Sequence, residues 1–521
     1  MAKKLKLSFM KTDVVIIGAG PTGLSLARQL QRYGIDFVII DKKDSITPFS
    51  KAIGVQARTL EIYEQIDLAD KLIEMGTMAE TVRLVEGGEV RGKVELGKIG
   101  EGMSPYPFLL IVEQSMHEHL LYDSIKAKGN DVRWNTQLTG FSQTEAGVSA
   151  TVKNADDMTE TIDAKFLVGC DGAGSMVRHS LDLKFEGSTF ERLFYVADVQ
   201  IDWEFSHDAL MVCLAQTTLT AFFPLPGEKR YRIVGTFPEN ETRREGEILY
   251  EEIEKQIIED TELKLDIYNV NWFSVYRVHS RRTDKFSRGR CFLAGDSAHI
   301  HTPAGAQGMN TGIQDGYNLA WKLAHVIKGN SGLGLLETYS EERAENAKRL
   351  LQTTDRIFDF GASEDPFVAF FRVHIFPYVA NFAVGLKTVQ NFIFPLVSQI
   401  GINYKKSSLS RTAGNFDIKA GDRMPYFTRN GESIYAILKE PKFHLLAFFD
   451  GKKELPDYLN GLQEYKDLVE IHKLHLYPQI TEIFGATESF VILLRPDNYI
   501  GLITHDPDPG VVINYLKTIF A

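Results

Sequence analysis

Cysteine is scarce: three residues in a chain of 521, Cys170, Cys213 and Cys291, far apart and with no CxxC pair. That scarcity removes the support for a disulfide framework or a cysteine-based zinc site. It suits a reducing, cytoplasmic compartment. Positive charge is also in deficit, with 58 Lys plus Arg against 69 Asp plus Glu and a net charge of -11. No basic stripe stands out, which argues against nucleic acid as a partner. Long apolar runs are missing as well. The most apolar later region, Phe367 to Tyr404, is interrupted by Arg372, His374, Lys387 and Gln390. No stretch there reaches the length of a membrane-spanning helix, so amphipathic helices packed on a domain are expected. The lysine-bearing start before Asp13 has no apolar core of signal-peptide length.

What is present is ordinary for a folded chain of two or three domains: 44% hydrophobic and 24% charged residues. The segment from Asp13 to Asp44 carries the first strong pattern. "DVVII" is a β-branched apolar run suited to a buried parallel strand. Gly18, Gly20 and Gly23 follow as G-x-G-x-x-G, then Leu24, Ala27 and Leu30 trace one helix face, Gly34 ends that helix, and "FVII" runs into Asp41. Gly18 permits a tight turn, Gly20 lets backbone approach a pyrophosphate, and Gly23 lets helix and strand pack closely. The helix start, where Pro21 and Thr22 stand, offers its free N–H groups to the phosphates. Asp41 lies 18 residues after Gly23, within reach of a ribose hydroxyl, with Lys42 beside it. An acid there favours FAD or NAD over NADP in this slot.

Two further segments repeat the strand-then-loop theme. "FLVGCDGAGSMVRHSL" ends a strand in Asp171-Gly172, with Ser175 and Arg178 beyond. "GRCFLAGDSAHIHTPAGAQGMNTGIQDGYNLAWKLA" runs from a strand through Gly295-Asp296 into a loop and a helix with Leu319, Leu323 and Val326 on one face. Taken alone, the Asp296, His299, His301 grouping reads either as a metal-ligand set or as part of a cofactor loop. A metal site wants three or more ligands of suitable geometry, and the glycine-rich remainder suits a helix start facing an anion.

With all three motifs in order, the chain resembles the group A flavoprotein monooxygenases, typified by p-hydroxybenzoate and phenol hydroxylases. "KAIGVQARTLEIYEQIDLADKL", "EQSMHEHLL" and "LLETYSEERAENAKRL" also look like family segments, so the resemblance covers essentially the whole chain. It implies an α/β Rossmann-like FAD-binding domain built from 1–75, 105–183 and 275–354. An antiparallel-sheet substrate domain from 76–104 and 184–274 would be interleaved with it. A helical bridge over 355–406 would lead to a thioredoxin-like domain over 407–521 that lacks CxxC.

The resemblance also implies roles. Gly18, Gly20 and Gly23 would hold the FAD pyrophosphate, Asp41 the adenosine ribose, and Gln114 the adenine side. Asp171 and Gly172 would support FAD and the nicotinamide cofactor, with Arg178 nearby. Gly295 and Asp296 would meet the ribityl chain, and Pro303, Gly305, Gly308, Met309 and Asn310 the isoalloxazine. Where the family usually has an Arg after the second strand, this chain has Lys51, which supplies charge without a bidentate fork. His299 and His301 become supporting residues and no metal is expected. NADH or NADPH would reduce FAD, O₂ would add to give a C4a-hydroperoxyflavin, and one oxygen would pass to an aromatic or polyketide-like small molecule. An antibiotic-inactivating hydroxylase, or a flavin-binding redox sensor without turnover, is the alternative.

Between the motifs, "FYVADVQI", "TTLTAFFPLP", "RYRIVGTF" and "WFSVYRV" read as strands, with Pro224, Pro226 and Gly227 marking a hairpin. Arg277, His279 and Arg281 share one strand face, which meets the FAD domain, nicotinamide phosphates, substrate or solvent. Met211, Cys213, Phe222, Phe223 and Pro224 are either pocket wall or sheet core. No residue identifies itself as a substrate-activating base. Near the C-terminus, "FVILLRPDNYIGLITH" reads as a hairpin turning at Pro496-Asp497-Asn498, and Asp508-Pro509 as a helix start. A structural or homodimer-contact role suits this last region.

Overall fold

A computed structural model describes residues 9–48, 52–239, 241–302, 306–363, 365–376, 386–452 and 456–520. Val14, Val15, Ile16 and Ile17 end β1 (Phe9–Ile17), and all four are buried. A parallel strand covered on both faces needs apolar residues at successive positions. The chain returns through α1 (Pro21–Arg32), whose Leu24, Ala27 and Leu30 are buried, to β2 (Phe37–Ile40). β1 pairs in parallel with β2 on one side and with strand Thr159–Gly169 on the other. Strand Cys291–Leu293 joins beyond that, again in parallel. The registers set Ile17 opposite Gly169, and Gly169 opposite Leu293. The three motif loops therefore leave one edge of one sheet side by side, the carboxyl edge where open α/β sheets bind ligands.

A second, eight-stranded sheet stands over that edge. Its centre is β3 (Glu186–Asp202), β4 (Arg230–Thr236) and β5 (Asp266–Arg282), with β3 antiparallel to both others. Strand Leu219–Pro224 pairs with β4 across a turn holding Pro226 and Gly227. Residues 81–95 enter the same sheet, where Thr81–Glu86 pairs in parallel with Ala209–Leu214. Period-two alternation divides its residues between two faces. Tyr195, Ala197, Tyr231 and Ile233 pack in a core with Ile253 and Ile257 of helix Tyr250–Thr261. Val196, Arg232 and Val234, one residue out of phase, line the opposite face.

α2 (Gly308–Ile327), 20 residues long, is buried almost throughout and packs against α1 and helix Gly334–Ala362. The bridging region contains helices Pro366–His374 and Lys387–Val397. The C-terminal sheet has five strands, ordered Arg411–Ala413, Ile500–Thr504, Phe490–Leu494, β6 (Phe443–Phe449), β7 (Val469–His475). β6 is parallel to β7 and antiparallel to Phe490–Leu494. Asp508 caps the closing helix Pro509–Ile519 by accepting from Gly510 N at 2.9 Å.

The hairpin tip of this last unit is buried against α2. Arg495 pairs with Glu342 (Nη2–Oε2 3.0 Å), Lys322 donates to Glu342 at 2.8 Å, and Trp321 donates to Asp497 at 3.1 Å. A second link runs from Arg423 to Glu61 at 3.0 Å, with Arg58 on the other oxygen at 3.1 Å. Among the described residues, no helix is long and apolar enough to cross a membrane.

Candidate active site

The three motif loops open onto one cleft of about 1160 Å³ beneath the second sheet. Gly18, Gly20, Pro21 and Thr22 line it from the first loop, Asp171 and Gly172 from the second, and Asp296, Gly308 and Met309 from the third. Asp41 and Lys42 at the end of β2 and Gln114 at the start of helix Gln114–Lys126 complete that wall. Lys51, Pro303 and Gly305 lie outside the described residues.

Glycine is required at Gly18 by sterics: φ is +104°, and a Cβ would sit 2.3 Å from Cys170 O. A Cβ on Gly23 would sit 2.0 Å from Gly18 O, so helix and strand approach more closely than any side chain permits. Gly20 differs, because a Cβ there would meet nothing within 4 Å. Its missing side chain leaves room for a ligand. Asp41 is held in place by Ala19 N (2.7 Å) on one oxygen and Lys43 N (2.9 Å) on the other.

Two helix starts face this cleft. α1 begins after Gly20 and α2 after Gln307, and among the described residues neither has a capping side chain or an acid in its first turn. Free N–H groups and the positive dipole end make each start an anion site. Two such starts on one glycine-opened cleft fit a dinucleotide whose diphosphate meets α1 and whose ring meets α2.

Four of the expected contact residues do other work. Gly23 packs α1 on its strand. Gly295 packs on Thr22, where a Cβ would stand 2.5 Å from Oγ1. Arg178 ties the second motif to the third, donating to Ser297 O at 3.0 Å and Ala173 O at 2.7 Å under the Phe185 ring. The Asn310 side chain, as distinct from its backbone N–H in the first turn of α2, is engaged within the protein. It accepts from Gln56 N (2.9 Å) and Thr59 Oγ1 (2.7 Å) and donates to Gly54 O (2.9 Å) and Ala306 O (2.8 Å). An amide with its donors and acceptor engaged has little left for a ligand, so Asn310 clamps segment 54–59 onto α2.

A family model described as an FAD binding domain matches residues 11–354. The chain belongs to the family of FAD-dependent monooxygenases. A flavin-dependent monooxygenase of Mycobacteroides abscessus is 32% identical over 97% of this chain and 99% of its own length. The 6-methylpretetramide 4-monooxygenase of Streptomyces rimosus is 36% identical over 66% of this chain and 61% of its own. The solved anhydrotetracycline hydroxylase OxyS, also from S. rimosus, superposes with a TM-score of 0.77 at 26% identity, covering 98% of this chain and 99% of that one.

In this monooxygenase the two histidines of the third motif part company. His299 is buried and its Nε2 meets Asp315 Oδ2 at 2.8 Å; Asp315 also accepts from Arg343 Nε at 2.6 Å and Gly295 N at 2.9 Å. Burial alone would raise the Asp315 pKa, but Arg343, His299 and the Gly295 N–H outweigh it and hold the carboxyl below its ordinary range. His301 instead lines the cleft. Its Nδ1 is 2.7 Å from Thr302 O, which can only accept, so Nδ1 carries the proton and Nε2 the lone pair. Nε2 has no hydrogen-bond partner among the described residues, and burial lowers the ring pKa to about 4.

The opposite wall of the cleft is the second sheet, where Val196, Phe223, Arg232, Val234 and Tyr276 face inward. Of the residues weighed as wall or core, Phe223 lines the cleft, Met211, Cys213 and Phe222 lie in the sheet core, and Pro224 is buried off the cleft. Arg277 and His279 line it too, while Arg281 donates to Thr189 Oγ1 at 3.0 Å. Sequence reasoning passed over Arg232. Its alternation between core residues Tyr231 and Ile233 was the available signal, since a cation on an otherwise apolar strand face wants a partner.

Proposed function

We propose that the chain hydroxylates an aromatic, polyketide-like small molecule, with NADH or NADPH as reductant and O₂ as oxygen source. The carrying observation is the make-up of the cleft: two uncapped helix starts on one wall, and an apolar sheet face around a single buried arginine on the other. FAD, when bound, supplies the electron transfer and oxygen activation. The chain's own residues do the rest. Gly20 and the α1 start bind the diphosphate. Asp41 orients the ribose. The α2 start favours negative charge on the ring edge. Val196, Phe223 and Val234 exclude water from the reacting face. Arg232 and His301 offer a hydrogen-bond donor and an acceptor to a flat, oxygen-bearing substrate. Two relatives whose names specify tetracycline-type polyketides support that substrate class.

In this reading FAD-binding residues fall in 1–75, 105–183 and 275–354 and substrate-facing residues in 76–104 and 184–274, with β5 (Asp266–Arg282) of the second sheet running across the last boundary. Residues 407–521 run strand, helix, strand, helix, strand, strand, helix from β6 onward, with the third of those strands antiparallel to β6. That order supports a thioredoxin-like unit, here without cysteine. Three free cysteines, two of them buried, suit a cytoplasmic enzyme.

The test is to purify the protein, measure its FAD content, and screen phenols, hydroxybenzoates and polyketide quinones for stimulated NADH or NADPH oxidation with O₂ uptake. Mass spectrometry should then find a product one oxygen heavier. A protein that cannot be loaded with FAD sinks the reading outright. A loaded protein whose NAD(P)H oxidation no compound stimulates sinks the substrate class.

A further inference from the structure

The outer edge of the C-terminal sheet carries a cluster that the flavin chemistry does not use. β6 and β7 are parallel, and their register sets His444 opposite Glu470. Residues two apart on a strand share a face, so His472 stands beside both. Their donor atoms converge: His444 Nδ1 lies 3.1 Å from His472 Nε2 and 3.6 Å from Glu470 Oε2, and His472 Nε2 lies 4.0 Å from Glu470 Oε1. Ligands about 2.0–2.1 Å from a tetrahedral zinc stand roughly 3.4 Å from one another. The triangle has that size before any metal is considered.

The protonation pattern suits ligation. His444 Nε2 is 3.1 Å from Glu440 O, a carbonyl that can only accept, so Nε2 carries the proton and Nδ1 presents its lone pair to the cluster. A backbone carbonyl fixing the tautomer of a histidine in this way is a recurrent support for metal-bound imidazole. Burial first, then His472, Arg32 and Lys442, push the His444 pKa down to about 3, and burial and Arg429 lower that of His472 against the pull of Glu470. Glu470 Oε2 is buried and has no hydrogen-bond partner among the described residues. That oxygen is an acceptor left open on the cluster side of a partly exposed carboxylate. Glu470 also borders a cavity of about 340 Å³ lined by Glu440, Lys442 and Lys466.

We propose that His444, Glu470 and His472 form a zinc(II) site with one open position, stapling the edge strand β7 to β6. Two imidazoles and one carboxylate are a recurring three-ligand zinc set. Binding leaves His444 in its present tautomer. His472, whose Nε2–H now donates to His444 Nδ1, changes tautomer: Nδ1 takes up a proton from solvent as Nε2 gives its own to solvent, so the ring stays neutral and the Nε2 lone pair turns to the metal.

The experiment uses the full-length flavoprotein, stripped with EDTA and dialysed to equilibrium against zinc chloride in a competing chelator buffer. Zinc and protein are then counted by mass spectrometry of the elements. The parent is expected to take up one zinc per chain. His472→Ala and Glu470→Gln, both at partly exposed positions, are expected to weaken that uptake at least tenfold. His475→Ala, exposed on the other face of the same strand, is expected to leave it unchanged. Circular dichroism checks that each variant is folded. Absence of uptake by the parent overturns the site and leaves the cluster a hydrogen-bonded histidine pair. Weakening below tenfold in both ligand variants, or equal weakening in His475→Ala, also overturns it.

Discussion

Asp198 holds Arg232 by two parallel hydrogen bonds, Oδ1 to Nε at 2.6 Å and Oδ2 to Nη2 at 2.7 Å, beneath the Trp272 ring. The pair is buried, and Nη1, the one guanidinium nitrogen outside this fork, has no partner among the described residues. Arg232 is thus oriented by the protein and available to a ligand. Arg232→Lys keeps the charge but loses the fork and the reach. We expect it to raise KM for the aromatic substrate about 10- to 100-fold, the scale of one hydrogen bond to a charged group, with FAD content unchanged. Steady-state kinetics beside flavin absorbance would check this; an unaltered KM would remove Arg232 from the substrate site.

Gly18 and Gly20 predict opposite kinds of damage. At Gly18 any side chain meets Cys170 O at a positive φ, so Gly18→Ala should lower stability and yield of folded protein. Gly20 is extended, at φ -78° and ψ -175°, and a Cβ there has open space. Gly20→Val should fold with a nearly unchanged Tm and yet lose FAD affinity at least tenfold, because the valine fills the space the diphosphate needs. Flavin titration of both purified variants separates the two outcomes. A Gly20→Val protein that binds FAD as the parent does would place the diphosphate elsewhere.

The two walls of the cleft differ in how readable they were, and the reason is physical. The flavin wall is made of backbone: Gly18 and Gly23 are dictated by close approach to Cys170 O and Gly18 O, Gly20 by the room it leaves, and the three stand so near one another in sequence that local spacing records them. The substrate wall is made of strand faces. A period-two pattern says that Arg232 and Ile233 point opposite ways, but not which side meets a core and which a cleft. Asn310 and Arg178 were placed near the cofactor because their positions fit a motif; their hydrogen-bond partners, Gln56, Thr59 and Ser297, are far away in sequence. The histidines considered for metal were neighbours in one loop. His444 and His472 lie on different strands and meet only through strand register, which no spacing rule reports.

His301 carries a pH prediction. Its folded pKa is lowered to about 4, so the ring is neutral through the physiological range and its Nε2 remains an acceptor there. Protonation below about pH 4 would turn that acceptor into a donor and place a cation in the cleft. Lowering a histidine pKa by burial also means that folding opposes protonation, so this group's stability cost grows as pH falls from about 6.5 towards 4. We expect kcat/KM to show no His301 inflection between about pH 5.5 and 8. His301→Leu should lower kcat/KM roughly 10- to 100-fold with FAD retained, the scale of losing one positioned acceptor. An inflection near pH 6.5 that this substitution abolishes would contradict the buried, neutral ring.

One of the links that join the C-terminal unit to the flavin domain centres on Glu342. Its carboxylate is fully buried between Arg495 and Lys322 and also accepts from Asn318 at 2.7 Å and Ser407 at 2.7 Å. Burial alone would raise its pKa, but the two cations outweigh that and hold it well below the ordinary carboxylate range. Burial in turn lowers Lys322 to about 8 against the pull of Glu342. The sign for Glu342 follows from the depressed pKa: its stabilising contribution is complete above the unfolded value near 4.3 and is lost as pH falls below it. Lys322 has the same sign in a higher window: its folded pKa of about 8 lies below the unfolded 10.5, so stability should rise as pH passes from about 8 towards 10. Glu342→Gln leaves Arg495 and Lys322 without their shared counter-charge. Removing one partner of a buried ion pair typically costs about 3–5 kcal/mol. We expect Glu342→Gln to lower Tm by several degrees at pH 7 and to flatten the fall of Tm between about pH 5 and 3 that the parent shows. Calorimetry across that range decides it: a variant as stable as the parent at pH 7 would mean that the hairpin tip at Arg495 and Asp497 is held by packing on Trp321 and not by charge.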